Sequence, residues 1–352
     1  MSGTTALERI IKRQSEIAVG NFDAIRIDVP KHRVYSVCNL RGGVGKTTLT
    51  FNLSYYADRL LAIDLCPQGN LSYFFDKEYY LHGANIRDAL LPYLIPGMPS
   101  VERIASYVGA TNQYFDGKNV YYIPSSNELY LLPSVLNSAL NLTDGGLLDS
   151  TQRLAAISNA LFSLRKEIKR ETTQNNLDKC LIDTSPFFSG GTELSWHASD
   201  ALIVPVRTDR QSINSFELLI KTMQSSASFR KYADKLEGFR TPKIHAVVLT
   251  HCGWSTRSGA RSLPNQQTKV YLQQCYDIMS RNRRLLSTDN PENHLFILDD
   301  FLGSGRVSSL ESKPIELLKQ GDTKTFDRVK VTVNAAVEKC KNELRFIHRL
   351  LW

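Results

Sequence analysis

The chain has 352 residues, 42% of them hydrophobic and 22% charged, proportions of a globular protein that exclude a disordered or fibrous one. Its length admits two modest domains or one large α/β domain. Its 43 Lys and Arg against 35 Asp and Glu leave a formal charge of +8, which suits an acidic partner such as nucleic acid or anionic lipid and equally serves solubility.

No apolar run approaches the ~18 residues that cross a bilayer, and MSGTTALERIIKRQSEIAVG lacks the apolar stretch of a secretion signal. The expected compartment is the cytoplasm. Six scattered cysteines (38, 66, 180, 252, 275 and 340) form no CxxC pair and have no histidine at ligand spacing, so they read as reduced, mostly buried thiols.

In chain order, Thr5 and Glu8 form a capping box for a first helix whose Leu7, Ile10 and Ile11 share a face. Residues 1–30 are expected to be a short helical arm and 31–352 a single domain. After Pro30, short apolar strands alternate with helical stretches: VYSVC (34–38), a helix over 46–58, LLAIDL (60–65), VYYIP (120–124), KCLID (179–183), ALIVPV (201–206), HAVVLT (245–250) and LFILD (295–299). This alternation predicts an α/β fold with a mostly parallel sheet covered by helices on both faces. The proline-rich region 75–118 is expected to hold loop or short helix, and 255–267 an exposed mobile loop. A long last helix is expected from near Asp322, running into VEKCKNELRFIHRLLW.

GGVGKTT (42–48) follows a strand and opens a helix, the context of a phosphate loop. There the backbone amides of Gly42, Gly43, Val44, Gly45 and Thr48 cradle phosphates, Lys46 reaches the β and γ oxygens, and Thr47 binds magnesium.

RGGVGKTT, IDLCPQGN, YYIPSS, LIDTSP and DALIVPVRTDRQS occur in the order and spacing of the ParA/MinD family of P-loop ATPases, which the chain resembles over residues 33–340. The resemblance implies ATP and Mg²⁺ as ligands and a dimer that closes over two nucleotides. The first basic residue of each loop crosses to the partner's phosphates. That residue is lysine in the family and Arg41 here, a retained charge with a broader, planar head. Asp64 resembles the residue that holds magnesium through water, and Asp183 the switch that senses the γ-phosphate. Cys66 stands where the family has an aspartate implicated in positioning the attacking water. A neutral thiol accepts hydrogen bonds poorly, so binding is expected to survive while hydrolysis slows. Base recognition is expected near Pro205, Arg207 to Ser212, Thr250 and His251.

Two surfaces suit the basic charge. Arg257, Arg261, Lys269, Arg281, Arg283 and Arg284 form a candidate DNA-binding set, as in the ParA branch, against the alternative of a solvated helix face. The C-terminal run has an apolar stripe of Val337, Cys340, Leu344, Ile347 and Leu351 that either packs on the sheet or lies in a membrane interface, as in the MinD branch. The function expected is an ATP-dependent dimerisation switch that binds DNA non-specifically and acts, with a partner that stimulates hydrolysis, in segregating or positioning cargo. The alternatives are a nucleotide-dependent scaffold that scarcely hydrolyses and a membrane-associated positioning ATPase. No second-substrate motif favours a metabolic enzyme.

Overall fold

The computed structural model describes residues 4–81, 83–142, 149–188, 190–255 and 263–352. Eight strands form one sheet: β1 (Val34–Val37), β2 (Leu60–Asp64), β3 (Ser106–Tyr107), β4 (Val120–Ile123), β5 (Lys179–Asp183), β6 (Ala201–Arg207), β7 (Lys243–Cys252) and β8 (Leu295–Asp299). Their order is β3-β4-β2-β5-β1-β6-β7-β8, parallel throughout except where β3 pairs antiparallel with β4. A separate hairpin joins β9 (Thr323–Phe326) to β10 (Val329–Thr332).

The helices are α1 (Ala6–Ala18), α2 (Lys46–Tyr56), α3 (Asn70–Phe75), α4 (Ile86–Leu94), α5 (Leu132–Leu142), α6 (Ser150–Leu161), α7 (Ser163–Gln174), α8 (Gly191–Ala198), α9 (Arg210–Gln224), α10 (Gln266–Arg281), α11 (Leu302–Glu311) and α12 (Val337–Leu351). Strand residues alternate between two cores, as the period of two demands. Leu60 and Ala62 of β2, with Ala201 and Ile203 of β6, join α2 and α12 on one face. Leu61 and Ile63 meet helices α4 to α8 on the other, and Leu202, Val204 and Val206 meet α9 and α10. Burial on both faces explains why these strands read as continuous apolar runs.

The capping box at Thr5 is present: Glu8 N donates to Thr5 Oγ1 at 3.2 Å, and Thr5 N donates to Glu8 Oε2 at 2.7 Å. Helix α1 lies against α12 and β8, burying Ile10, Gln14 and Ile17. Gln14 Nε2 donates to Ile297 O at 2.9 Å and to Glu343 Oε1 at 2.8 Å. All six cysteines are free and buried.

The structure overturns the expected long helix from Asp322. Residues 323–332 form the β9–β10 hairpin, because TKTF and VKVT are rich in β-branched residues and Asp327 and Arg328 take left-handed φ values of 46° and 67°. Helix α12 begins at Val337, and its stripe of Val337, Cys340, Leu344, Ile347 and Leu351 is buried in the core. Region 75–118 does hold a short helix, α4, capped by Asn85. Most of the loop expected over 255–267 lies outside the described residues. The two-residue edge strand β3 was too short to leave a periodic signal. Among the described residues, no helix is long and apolar enough to cross a membrane.

Candidate functional site

The phosphate loop fills the turn between the carboxyl end of β1 and α2, at the centre of the sheet, where parallel sheets place ligands. Gly43 and Gly45 adopt φ values of 70° and 92°. A Cβ on Gly43 would meet nothing within 4 Å, so the cradle stands open. Thr250 Oγ1 donates to Val44 O at 3.0 Å and ties the loop to β7.

The Lys46 ammonium curls over the loop's own backbone, donating to Arg41 O at 2.8 Å and Asn39 O at 3.2 Å. Burial pulls its pKa down, and Asp183 works against that shift. Those two carbonyls are the weaker partners for a cation that a phosphate would attract. Thr47 Oγ1 donates to Asp183 Oδ2 at 2.6 Å.

Asp64 and Asp183 end adjacent strands β2 and β5 in direct register. Both carboxyls are buried. Burial raises both pKa values, and for Asp183 the charge of Asp64 raises it further. Asp64 is fixed by Cys66 N at 3.0 Å and by Ser72 N and Oγ, each at 2.9 Å. Ser72 is fixed in turn by Ser125 N at 2.8 Å. Two buried carboxyls beside a threonine hydroxyl suit a hard divalent cation that takes its other oxygens from phosphates and water. Among the described residues no group of three or more His, Cys, Asp or Glu could hold a metal without such help. The residues thus fit a magnesium nucleotide: Thr47 and Asp64 toward the metal, Lys46 and the loop amides toward phosphate.

Cys66 is 6% exposed, and burial pushes its thiol up to about 11, so it is neutral. Its carbonyl accepts from Ser125 Oγ at 2.5 Å. Arg41 does not extend freely from the loop. Its guanidinium forms an ion pair with Asp209 and donates to Ser212 Oγ at 3.0 Å.

Beside the loop, a cleft of about 530 Å³ is bordered by Thr48, Arg207, His251, Asp300 and Arg306. Thr250 and His251 also line it. Pro205 is buried within β6, its carbonyl accepting from Asn39 Nδ2 at 2.7 Å, while Arg207, named with it from sequence, borders the cleft at the exposed strand end. Arg306 was missed because nothing in the short run GSGR around it marks a site in sequence. Asp209, inside the segment Arg207 to Ser212 expected near the base, caps α9 and holds Arg41.

The candidate DNA set is only partly placed. Arg257 and Arg261 lie outside the described residues. Arg281 pairs with Glu217 at 3.5 Å, and exposed Arg283 and Arg284 follow it on a 3₁₀ turn. Leu286 bridges Ile244 near the amino end of β7, so this cluster lies at the end of the sheet remote from the phosphate loop.

Comparison with known proteins agrees with this geometry. The family model described as "AAA domain" matches residues 32–235. The sporulation initiation inhibitor protein Soj of Bacillus subtilis is 22% identical over 272 residues, 76% of this chain and 91% of Soj. An uncharacterised protein of Mycobacterium tuberculosis is 25% identical over 62% of this chain, which spans 58% of that relative's length. The ATP complex of a Cyanothece McdA variant has the same fold, with a TM-score of 0.59 and 16% identity over 91% of this chain and 97% of that one. A Borrelia burgdorferi protein assigned to plasmid partition, bound to AMPPNP, gives a TM-score of 0.53 and 14% identity over 91% and 99% of the two chains. With its phosphate loop, paired strand-end aspartates and sheet order, the chain belongs to the AAA domain family, as a P-loop ATPase of the ParA/MinD type.

Proposed function

We propose that the chain is a ParA-like, ATP-dependent dimerisation switch that binds DNA without sequence preference in its ATP state and segregates or positions DNA or another cargo. The observation that carries this reading is the convergence of Lys46, Thr47, Asp64 and Asp183 on one open glycine loop. Bound magnesium would supply charge neutralisation at the phosphates.

Within that reading, Lys46 would leave its carbonyls for phosphate, and Thr47 and Asp64 would hold the magnesium that neutralises it. Asp183 is then free to report the state of the nucleotide, and Arg41 leaves Asp209 for the partner's site. The neutral, buried Cys66 cannot take the role of a carboxylate, which favours slow or partner-dependent hydrolysis. The same observation supports a second reading, a scaffold that closes on ATP and scarcely turns over. A membrane tail is disfavoured, because the apolar stripe of α12 is already buried.

The deciding experiment is ATP turnover measured alongside oligomeric state with ATP, ADP and no nucleotide, with and without non-specific DNA. An ATP-dependent dimer that is retained on DNA and hydrolyses ATP supports the switch. A stable ATP dimer without hydrolysis or DNA retention supports the scaffold, and a monomer under all conditions refutes both. Co-sedimentation with anionic vesicles tests the membrane alternative.

A further inference from the structure

At the end of the sheet opposite the phosphate loop, a cavity of about 380 Å³ opens under the amino ends of β1, β5 and β6, with α7 along its side. A strand of five residues separates the two ends by roughly 16 Å, so the cavity is no extension of the nucleotide cleft. Five cationic side chains line it, Arg33, Arg165, Lys169, Lys179 and Arg240, against two carboxylates, Asp178 and Asp200.

Both carboxylates are already engaged. Asp200 Oδ2 accepts from Arg33 N at 3.2 Å and Val34 N at 3.0 Å, fixing the start of β1. Asp178 pairs with Lys179 at 3.0 Å and with Arg59, outside the cavity, at 3.6 Å. Among the described residues, Arg33, Arg165, Lys169 and Arg240 have no carboxylate within ion-pair distance.

Arg165 is held in place by carbonyls and a ring rather than by an ion pair. Its Nη1 donates to Gly238 O at 2.9 Å, its Nη2 donates to His197 O, and its guanidinium lies 4.4 Å from the centre of the Phe162 ring. Burial and the neighbouring charge of Arg240 press its pKa down, and Asp200 across the cavity works against them. A partly buried guanidinium facing other cations across one cavity is better satisfied when an anion enters, and exposed Lys169 and Arg240 stand at its rim to meet one. The hydroxyls offer little for reading a base: Thr172, Thr173 and Ser199 all donate to backbone carbonyls, at 2.6, 2.7 and 2.7 Å.

We propose that this cavity binds a small, multiply charged phosphate-bearing molecule, recognised by its charge through Arg165, Arg240 and Lys169. The site is separate from the nucleotide site, and nothing in the proposed switch requires it. DNA backbone phosphates share the chemistry, but a concave site on the side of one helix suits a compact anion better than a duplex.

The test is calorimetric titration of inorganic tripolyphosphate into the full chain carrying Lys46→Ala, which weakens the phosphate loop. Saturable binding is expected, weakened at least tenfold by adding Lys169→Gln and Arg240→Gln, both exposed positions without ion pairs, and unchanged by Arg281→Gln. No saturable binding overturns the proposal. Binding indifferent to the cavity substitutions also overturns it, by assigning the anion to the loop amides. Loss of duplex DNA retention in the cavity variant, without tripolyphosphate binding to the parent, assigns the surface to DNA and overturns it as well.

Discussion

The Arg41 guanidinium is held within its own chain by Asp209, whose Oδ1 also accepts from Ser212 N at 2.9 Å and so caps α9. The side chains are 30% and 25% exposed, so the pair is worth about 1 kcal/mol or less. Releasing Arg41 therefore costs roughly fivefold in an equilibrium, a threshold that a bound nucleotide on a partner subunit can exceed. Asp209→Asn keeps a capping side chain and removes the charge. It should tighten ATP-dependent dimerisation by up to about fivefold, read by analytical ultracentrifugation. Arg41→Ala should leave nucleotide binding by the monomer intact and lose the dimer; a normal dimer in that variant refutes the trans contact.

Asp183→Asn tests the buried pair. A carboxyl whose folded pKa is raised holds its proton more tightly when folded, so the pair costs the metal-free chain stability as pH rises from about 4 toward neutrality. The variant should be more stable than the parent at pH 7.5 by on the order of 2 kcal/mol and should show a flatter pH dependence. It should lose the stabilisation that magnesium nucleotide gives the parent. Urea denaturation at pH 5 and 7.5, with and without magnesium nucleotide, reads all three.

Cys66→Asp restores the family's carboxylate but places a third acid near Asp64 and Asp183. Turnover should rise by about 10²-fold if water positioning is what the thiol lacks. The metal-free variant should melt earlier, by about 1–3 kcal/mol in stability, with much of the loss recovered on adding magnesium nucleotide. Unchanged turnover at full nucleotide occupancy would assign water positioning to another group.

Gln14→Ala should destabilise the chain by about 1–3 kcal/mol, because it leaves buried Glu343 Oε1 without its donor. Nucleotide affinity should hold, since the contact lies on α12 and β8, away from the loop. Equilibrium unfolding and nucleotide titration separate the two.

Local chemistry made much of this legible from sequence. The phosphate loop, the strand-end positions of Asp64 and Asp183, and seven of the sheet strands were readable because glycine, Lys-Thr and apolar runs act over a few neighbouring residues. The hairpin at 323–332 was lost because an expected helical period was carried backward across residues whose β-branched alternation argued otherwise. The end of β6 was read at Val206, one residue short, since only its pairing with β7 carries the strand on to Arg207.

What tertiary structure alone decided are the encounters between distant segments. The capture of Arg41 by Asp209, the packing of the α12 stripe beneath α1, and the gathering of Arg165, Lys169 and Arg240 around one cavity join residues tens to hundreds of positions apart. Each depends on strand order, and a parallel sheet with β1 between β5 and β6 is set by the long crossovers rather than by any local pattern. Sequence by itself determined the chemistry available at each strand end; the sheet order determined which of those groups meet.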